Sequence, residues 1–160
     1  MPPENPAGPV IGHVHLKVAD LDRAIHFYQM LGFDLTQRIG TQATFPGADG
    51  YHHHIGLNTW DSAGAPPAPP GHAGLYHLAV LYPDRAAPAQ ALARVLKVGA
   101  VLDGAADHGV SEAVYLRDPD GNGVELYRDR PRADWPRDTA GNLAMVNARL
   151  DVQGLLALAR

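Results

Sequence analysis

Residues 13–20 read HVHLKVAD, and residues 77–84 read HLAVLYPD. Each stretch opens on a histidine and reaches an aspartate seven residues later, just ahead of a helical pattern. In VIGHVHLKV (10–18), Val14, Leu16 and Val18 fall on one face of an extended chain, and His13, His15 and Lys17 on the other. In LYHLAVLY (75–82), Leu78, Val80 and Tyr82 stand opposite His77, Ala79 and Leu81. Two half-buried strands, each opened by a histidine on its non-aliphatic face, mark an internal repeat.

The pattern continues in parallel from both strands. Asp20 is placed to N-cap a helix, DLDRAIHFYQML, in which Leu21, Ile25, Tyr28 and then Leu31 or Leu35 follow near-helical spacing. Gly32 stops it. FDLTQRIG, TQATFPG and HHHIGLNTW read as three short strands. In the second half PDRAAPAQALARVLKVG reads as a helix, with Pro88 early enough to be tolerated. AVLDGA, EAVYLRD and GVELYRD read as strands, the last two joined by the tight turn DPDGN (118–122).

The expected fold class is therefore α+β: two βαβββ repeats, about 9–60 and 74–129, joined by a Pro/Gly/Ala linker over 61–73. Together they make one module over 9–130. Residues 131–160 break the repeat. RPRADWPRD is irregular, VQGLLALA reads as a short helix, and the segment is expected to pack as an appendage on the module or on a partner.

Composition narrows the function. The chain has 160 residues, enough for one compact domain with a sizeable core. A formal charge of −4 with no basic stripe argues against nucleic acid as a partner. The absence of cysteine rules out disulfides and thiolate metal sites and fits a cytoplasmic setting. No apolar run approaches the roughly 20 residues that cross a bilayer, so no membrane role is expected. The opening MPPENPAGPV reads as an irregular lead-in without a signal-peptide layout. The unusual number is nine histidines, against three Phe and two Trp; histidine suits proton transfer near neutral pH and is the commonest metal ligand.

Helices cover a sheet by burying its aliphatic face, so the histidines belong to the open face. His13 opens the first half and His77 the second. Glu125 lies in GVELY, where Val124 and Leu126 supply the aliphatic face and Glu125 points the other way. If the two halves pair with their strands in equivalent places, His13, His77 and Glu125 converge as a 2-His-1-carboxylate set, with open positions for water, substrate or dioxygen. Imidazole and carboxylate equally suit Zn(II).

The run His52, His53, His54 in GYHHHIGLNTW lies far from either terminus, so a purification tag is a poor explanation and a metal-storage tract a better one. Strand alternation would turn one of the three, or two, toward a reaction centre. Periodicity leaves open which, because Ile55 and Leu57 share the side of His53. His15 reads as pocket wall or polar filler, His26 and His72 as surface residues. Trp60 is expected to line or cap the core, and Trp135 to cover a pocket mouth or an interface.

The layout HVHLKVADLDRAIHFYQMLGF, then HLAVL, then YLRDPDGNGVELY, resembles the vicinal oxygen chelate superfamily, which includes glyoxalase I, fosfomycin-resistance proteins, bleomycin-binding proteins and extradiol ring-cleaving dioxygenases. The resemblance covers roughly residues 9–130. It implies a curved mixed sheet around a metal cavity, with His13, His77 and Glu125 at the metal positions. Glyoxalase I takes a further ligand, usually a carboxylate, from the strand that here reads HHHIGLNTW and offers none. The extradiol dioxygenases are more similar. They carry a histidine acid/base on that strand, which His53 matches best, and a histidine and tyrosine before the DPDG turn, which His108 and Tyr115 match in HGVSEAVYL. YHHHIGLNTW and DHGVSE most resemble the catechol-2,3-dioxygenase group of bacilli and actinobacteria, whose members often carry a second module.

The resemblance thus implies ring cleavage of an aromatic vicinal diol by O2, with Fe(II) as first choice of metal and Mn(II), Zn(II) or Ni(II) as alternatives. A metal-dependent lyase, isomerase or transferase without redox chemistry, or a small-molecule-binding module without turnover, are the other functions of the same fold. A homodimer is the expected assembly, the two halves closing within one chain or exchanging between two.

Overall fold

The computed structural model describes residues 8–159, and residues 1–7 of the expected lead-in lie outside that range. By its internal contacts the chain divides into two compact units. The first runs up to residue 73 and includes 119–121; the second holds 74–118 and the residues from 122 onward.

In the first unit β1 (Val14–Lys17), α1 (Leu21–Met30), β2 (Asp34–Ile39), β3 (Ala43–Gly47) and β4 (Ile55–Asn58) follow in that order. They form a four-stranded sheet, β1-β4-β3-β2. β1 runs parallel to β4, with Val14 beside Ile55 and Leu16 beside Leu57, and the remaining pairs are antiparallel. Asp20 caps α1 as the sequence indicates, its carboxylate accepting from Arg23 N at 3.0 Å. The helix buries Leu21, Ala24, Ile25, Phe27 and Tyr28 over β3 and β4. It ends where Gly32 takes φ +107°, a conformation only glycine adopts freely.

The second unit repeats the plan with β5 (Leu78–Leu81), α2 (Ala86–Lys97), β6 (Leu102–Asp107), β7 (Ser111–Arg117) and β8 (Gly123–Asp129). β5 is parallel to β8, as β1 is to β4. Asp84 Oδ1 accepts from Ala86 N and Ala87 N at 2.8 and 2.9 Å and so satisfies the first free amides of α2. Pro88 is the third helical residue and is buried with Ala89, Ala91, Leu92 and Val95. The second strand of each repeat carries a register shift at the same place, between Leu35 and Gln37 in β2 and between Leu102 and Gly104 in β6. A bulge at equivalent positions bends both sheets alike.

The expected faces hold on β1 and β5: Leu16, Val18 and Leu78 are buried, while His15, Lys17, Ala79 and Leu81 are exposed. Two local readings are corrected. First, β1 and β4 are short, and His52, His53 and His54 precede β4 rather than lie on it. The Tyr51 ring lies there against both neighbours of His53, with the His52 and His54 rings centred 4.2 and 4.7 Å from it. Second, Trp60 is 58% exposed and lies against the His15 ring, outside the core. Residues 131–160 pack on the second unit, one of the placements expected, with a short helix in VQGLLALA, and they also extend its sheet. β9 (Ala148–Arg149) pairs antiparallel with the edge of β6 and makes the second sheet five-stranded, β5-β8-β7-β6-β9. α3 (Val152–Leu156) and the 3-10 turn Ala157–Ala159 then pack on α2, burying Leu155. Among the described residues no helix is long and apolar enough to cross a membrane.

Candidate active site

In the second unit His77, Glu125, Tyr115 and His108 lie in one line of close polar contacts. The sheet builds it by register. Glu125 stands beside Ala79 of β5 on one side and Tyr115 of β7 on the other. Paired residues share a face, so its carboxylate lies between a methyl group and a phenol. His77 precedes β5, next to Gly123 of β8. A Cβ on Gly123 would collide with the Tyr76 carbonyl and press on His77 Cβ, so glycine is what lets the imidazole approach.

The distances along the line are short. His77 Nε2 lies 2.9 Å from Glu125 Oε2. Tyr115 Oη is 3.4 Å from Glu125 Oε1 and 2.7 Å from His108 Nε2. Burial first, and then the neighbouring Glu125 carboxylate and Tyr76, push the Tyr115 phenol up to about 12, so it stays protonated near neutral pH. A cleft of about 540 Å³ opens over this face, lined among others by Tyr76, His77, Gly104, His108, Tyr115 and Asn147. That volume suits a single-ring ligand.

In the first unit His13 and His53 meet, with ring centres 4.5 Å apart. Phe45 of β3 packs edge-on against His53 at 5.2 Å and against His15 at 6.0 Å. Desolvation lowers the pKa of His53, and the neighbouring His13, His52, His15 and His54 lower it further. Its Nδ1 lies 2.7 Å from His52 Nδ1, which leaves Nε2 as the ring atom open to other partners. Of the three consecutive histidines, His53 is the one beside His13, while His52 and His54 flank Tyr51. His26 and His72 are exposed, as expected.

The donor set can be tested against a cation. Two ligands about 2.1 Å from an octahedral ion and at right angles to each other lie about 3 Å apart. The His77–Glu125 pair, at 2.9 Å, has that spacing. His77 Nδ1 is buried with no hydrogen-bond partner, so Nε2 is the engaged nitrogen of the ring. Within neither unit do the described residues gather three His, Asp or Glu side chains into a metal-sized group. His77 and Glu125 are two of the three expected ligands, and the third, His13, belongs to the first unit.

Sequence reading missed Phe45 beside His53, and Val146 and Asn147 beside the second-unit line. Phe45 had a signal, since alternation in TQATFPG sets it apart from its buried neighbours Thr44 and Pro46. The only trace of a strand at 148–149 is two residues long, too short for periodicity to reveal.

Comparison with known proteins agrees with this fold. A family model described as the Glyoxalase/Bleomycin resistance protein/Dioxygenase superfamily matches residues 10–126. A catechol-2,3-dioxygenase of Bacillus subtilis (strain 168) is 43% identical over 147 residues, 91% of this chain and 50% of that protein. The chain thus spans half the length of that relative. Among solved structures, a glyoxylase/bleomycin resistance protein/dioxygenase domain from Frankia sp. EAN1pec superposes with a TM-score of 0.65 at 23% identity, covering 78% of this chain and 100% of that one. A glyoxalase/dioxygenase from Nostoc punctiforme gives 0.62 at 18%, covering 76% and 92%. A lactoylglutathione lyase from Agrobacterium tumefaciens gives 0.57 at 22%, covering 78% and 96%. At these identities the three structures speak for the fold alone.

Proposed function

Because the chain belongs to the glyoxalase/bleomycin resistance protein/dioxygenase superfamily, we propose that it is an extradiol dioxygenase, cleaving an aromatic vicinal diol with O2 at a divalent metal held by His13, His77 and Glu125. The observation that carries this reading is the line His77–Glu125–Tyr115–His108 across the open face of the second sheet. It joins two metal-type donors to a phenol and an imidazole at the wall of a ring-sized cleft. The 43% identity to a catechol-2,3-dioxygenase supports the same reaction class.

His13, His77 and Glu125 would hold a divalent ion, Fe(II) first and Mn(II), Zn(II) or Ni(II) otherwise, which would supply Lewis acidity toward the diol and, if iron, the redox chemistry for dioxygen. The chain's own groups do the rest. His53 is a general base: its lowered pKa keeps it neutral near pH 7, and Nε2 is free to take a hydroxyl proton and later return it. Tyr115, held protonated, can accept a hydrogen bond from a substrate hydroxyl through its oxygen while its own hydrogen goes to His108. His108 fixes the orientation of the phenol. The small residues Gly104 and Ala106 leave room for the ring. The cysteine-free composition suits work in the reducing cytoplasm.

The test is reconstitution of metal-free protein with Fe(II) under nitrogen, followed by catechol and then air. A yellow ring-opened semialdehyde should appear, and Glu125→Ala should abolish it. If a panel of catechols fails at full iron occupancy, the dioxygenase reading falls. A Lewis-acid lyase, isomerase or transferase, or a binding module, then takes its place.

A further inference from the structure

The residues after 130 lie outside the βαβββ repeat, yet they reach the candidate site. Asp138 accepts from Ala140 N and Asn142 N and so closes a turn. Ala144 N then donates to the Pro136 carbonyl at 2.9 Å, and the chain runs on to pair with β6 through β9. Just before β9 it grips His108 twice. Val146 N donates to the His108 carbonyl at 3.0 Å, and the Val146 carbonyl lies 3.0 Å from His108 Nδ1. Gly109 follows at φ +74°, and a Cβ there would strike the Pro136 ring and crowd Val146. The fit is close on all sides, and the next residue, Asn147, lines the cleft.

The second grip has a chemical consequence. A carbonyl oxygen only accepts, so His108 Nδ1 must carry the hydrogen. In the neutral ring Nε2 is then an acceptor, and the partner it meets at 2.7 Å is the Tyr115 hydroxyl. A phenol has one hydrogen to give, and with Nε2 accepting at 2.7 Å it goes to His108 rather than to Glu125 Oε1 at 3.4 Å. Free imidazole side chains favour the opposite tautomer, with hydrogen on Nε2, which would leave Tyr115 facing a donor.

We propose that the C-terminal segment 136–149 is a working part of the site: through the Val146 carbonyl it holds His108 in the Nδ1–H tautomer, which sets the direction of the Tyr115 hydroxyl. Val146 and His108 are positioning residues in this scheme. It deepens the dioxygenase reading in the role given to Tyr115, while the tautomer itself is measurable without any turnover.

The test uses the full chain labelled with 15N-histidine and long-range 1H–15N correlation spectra, with His108 assigned by His108→Gln. In the wild type, His108 Nδ1 should resonate as a protonated nitrogen and Nε2 as an unprotonated one. Tyr115→Phe removes the Nε2 partner but leaves Val146, and the Nδ1–H form should persist. Val146→Pro deletes the amide that donates to His108, and the signals should move to the Nε2–H or a mixed pattern while the β7 and β8 amide resonances stay in place. With an active preparation, Val146→Pro should lower kcat about 10- to 100-fold, the usual range for a partner that orients a functional imidazole, and leave KM little changed.

A wild-type ring protonated on Nε2, or a ring that flips in Tyr115→Phe, overturns the inference, and neither result depends on whether Val146→Pro folds. A chain that shows the expected tautomers but cleaves no diol keeps the clamp and loses the dioxygenase. A chain that cleaves diols with an unchanged His108 ring in folded Val146→Pro keeps the dioxygenase and loses the clamp.

Discussion

Glu125 Oε2 lies 2.9 Å from His77 Nε2, an imidazole and a carboxylate brought together by the parallel pairing of β5 with β8. If the pair is two-thirds of a metal set, removing either member should weaken the site far more than it weakens the fold. Glu125→Ala is expected to lower Fe(II) or Co(II) affinity by at least about 100-fold, beyond the usual effect of losing an outer partner. Equilibrium dialysis measures this directly. Unchanged affinity would exclude Glu125 as a ligand.

His53 sits beside His13 with Nε2 open, and the proposed reaction gives it the base role. His53→Gln keeps a hydrogen-bonding side chain of similar size but has no titratable group. The variant should bind metal like the wild type and lose about 10²- to 10⁴-fold in kcat. A variant that turns over normally would transfer the role to another group.

The histidine run also bears on stability. Ala48 N donates to His54 Nδ1 at 3.3 Å, which requires that nitrogen to be unprotonated. Burial lowers the pKa of His54 below 6.5; Asp49 opposes the shift and His52 adds to it. As pH falls the unfolded chain takes up the proton first, so the stabilisation is present above about pH 6.5 and lost progressively below it. His15, also lowered by burial and by His13, adds in the same direction. The Tm of the metal-free protein should fall by a few degrees between about pH 7.5 and 5.5. His54→Gln should flatten that slope, and an unaltered slope in thermal denaturation would remove His54 from the account.

Leu92 is fully buried on the inner face of α2. Leu92→Ala should destabilise by about 2–5 kcal/mol, as expected for a core cavity. Urea unfolding measures it. A loss under about 1 kcal/mol would mean that α2 and its neighbours close the gap.

Asp20 caps α1 through Arg23 N in a solvent-exposed setting. Asp20→Ala should cost about 1 kcal/mol. Asp20→Asn, which keeps an accepting oxygen, should recover most of it. Equal losses in the two variants would assign the effect to charge rather than to the cap.

Much of this was legible in the chain of letters. Alternation around Leu16 and Leu78, aspartate caps at Asp20 and Asp84, and the DPDGN turn are local features whose causes act within a few residues, and they are enough to place β1, α1, β5, α2 and the β7–β8 hairpin. The same logic put Glu125 on the open face, because a side chain's face follows from its place in the two-residue period, whereas Tyr115 came only from the family resemblance. Tertiary structure alone decided which distant groups touch: His53 against His13 and Phe45, Trp60 out in solvent against His15, and Val146 on the far side of the His108 ring. Those contacts depend on how β4 is entered around Tyr51 and on which sheet edge the last 30 residues find. Such choices rest on many weak contacts between residues far apart in the chain, and no short window of sequence contains their sum.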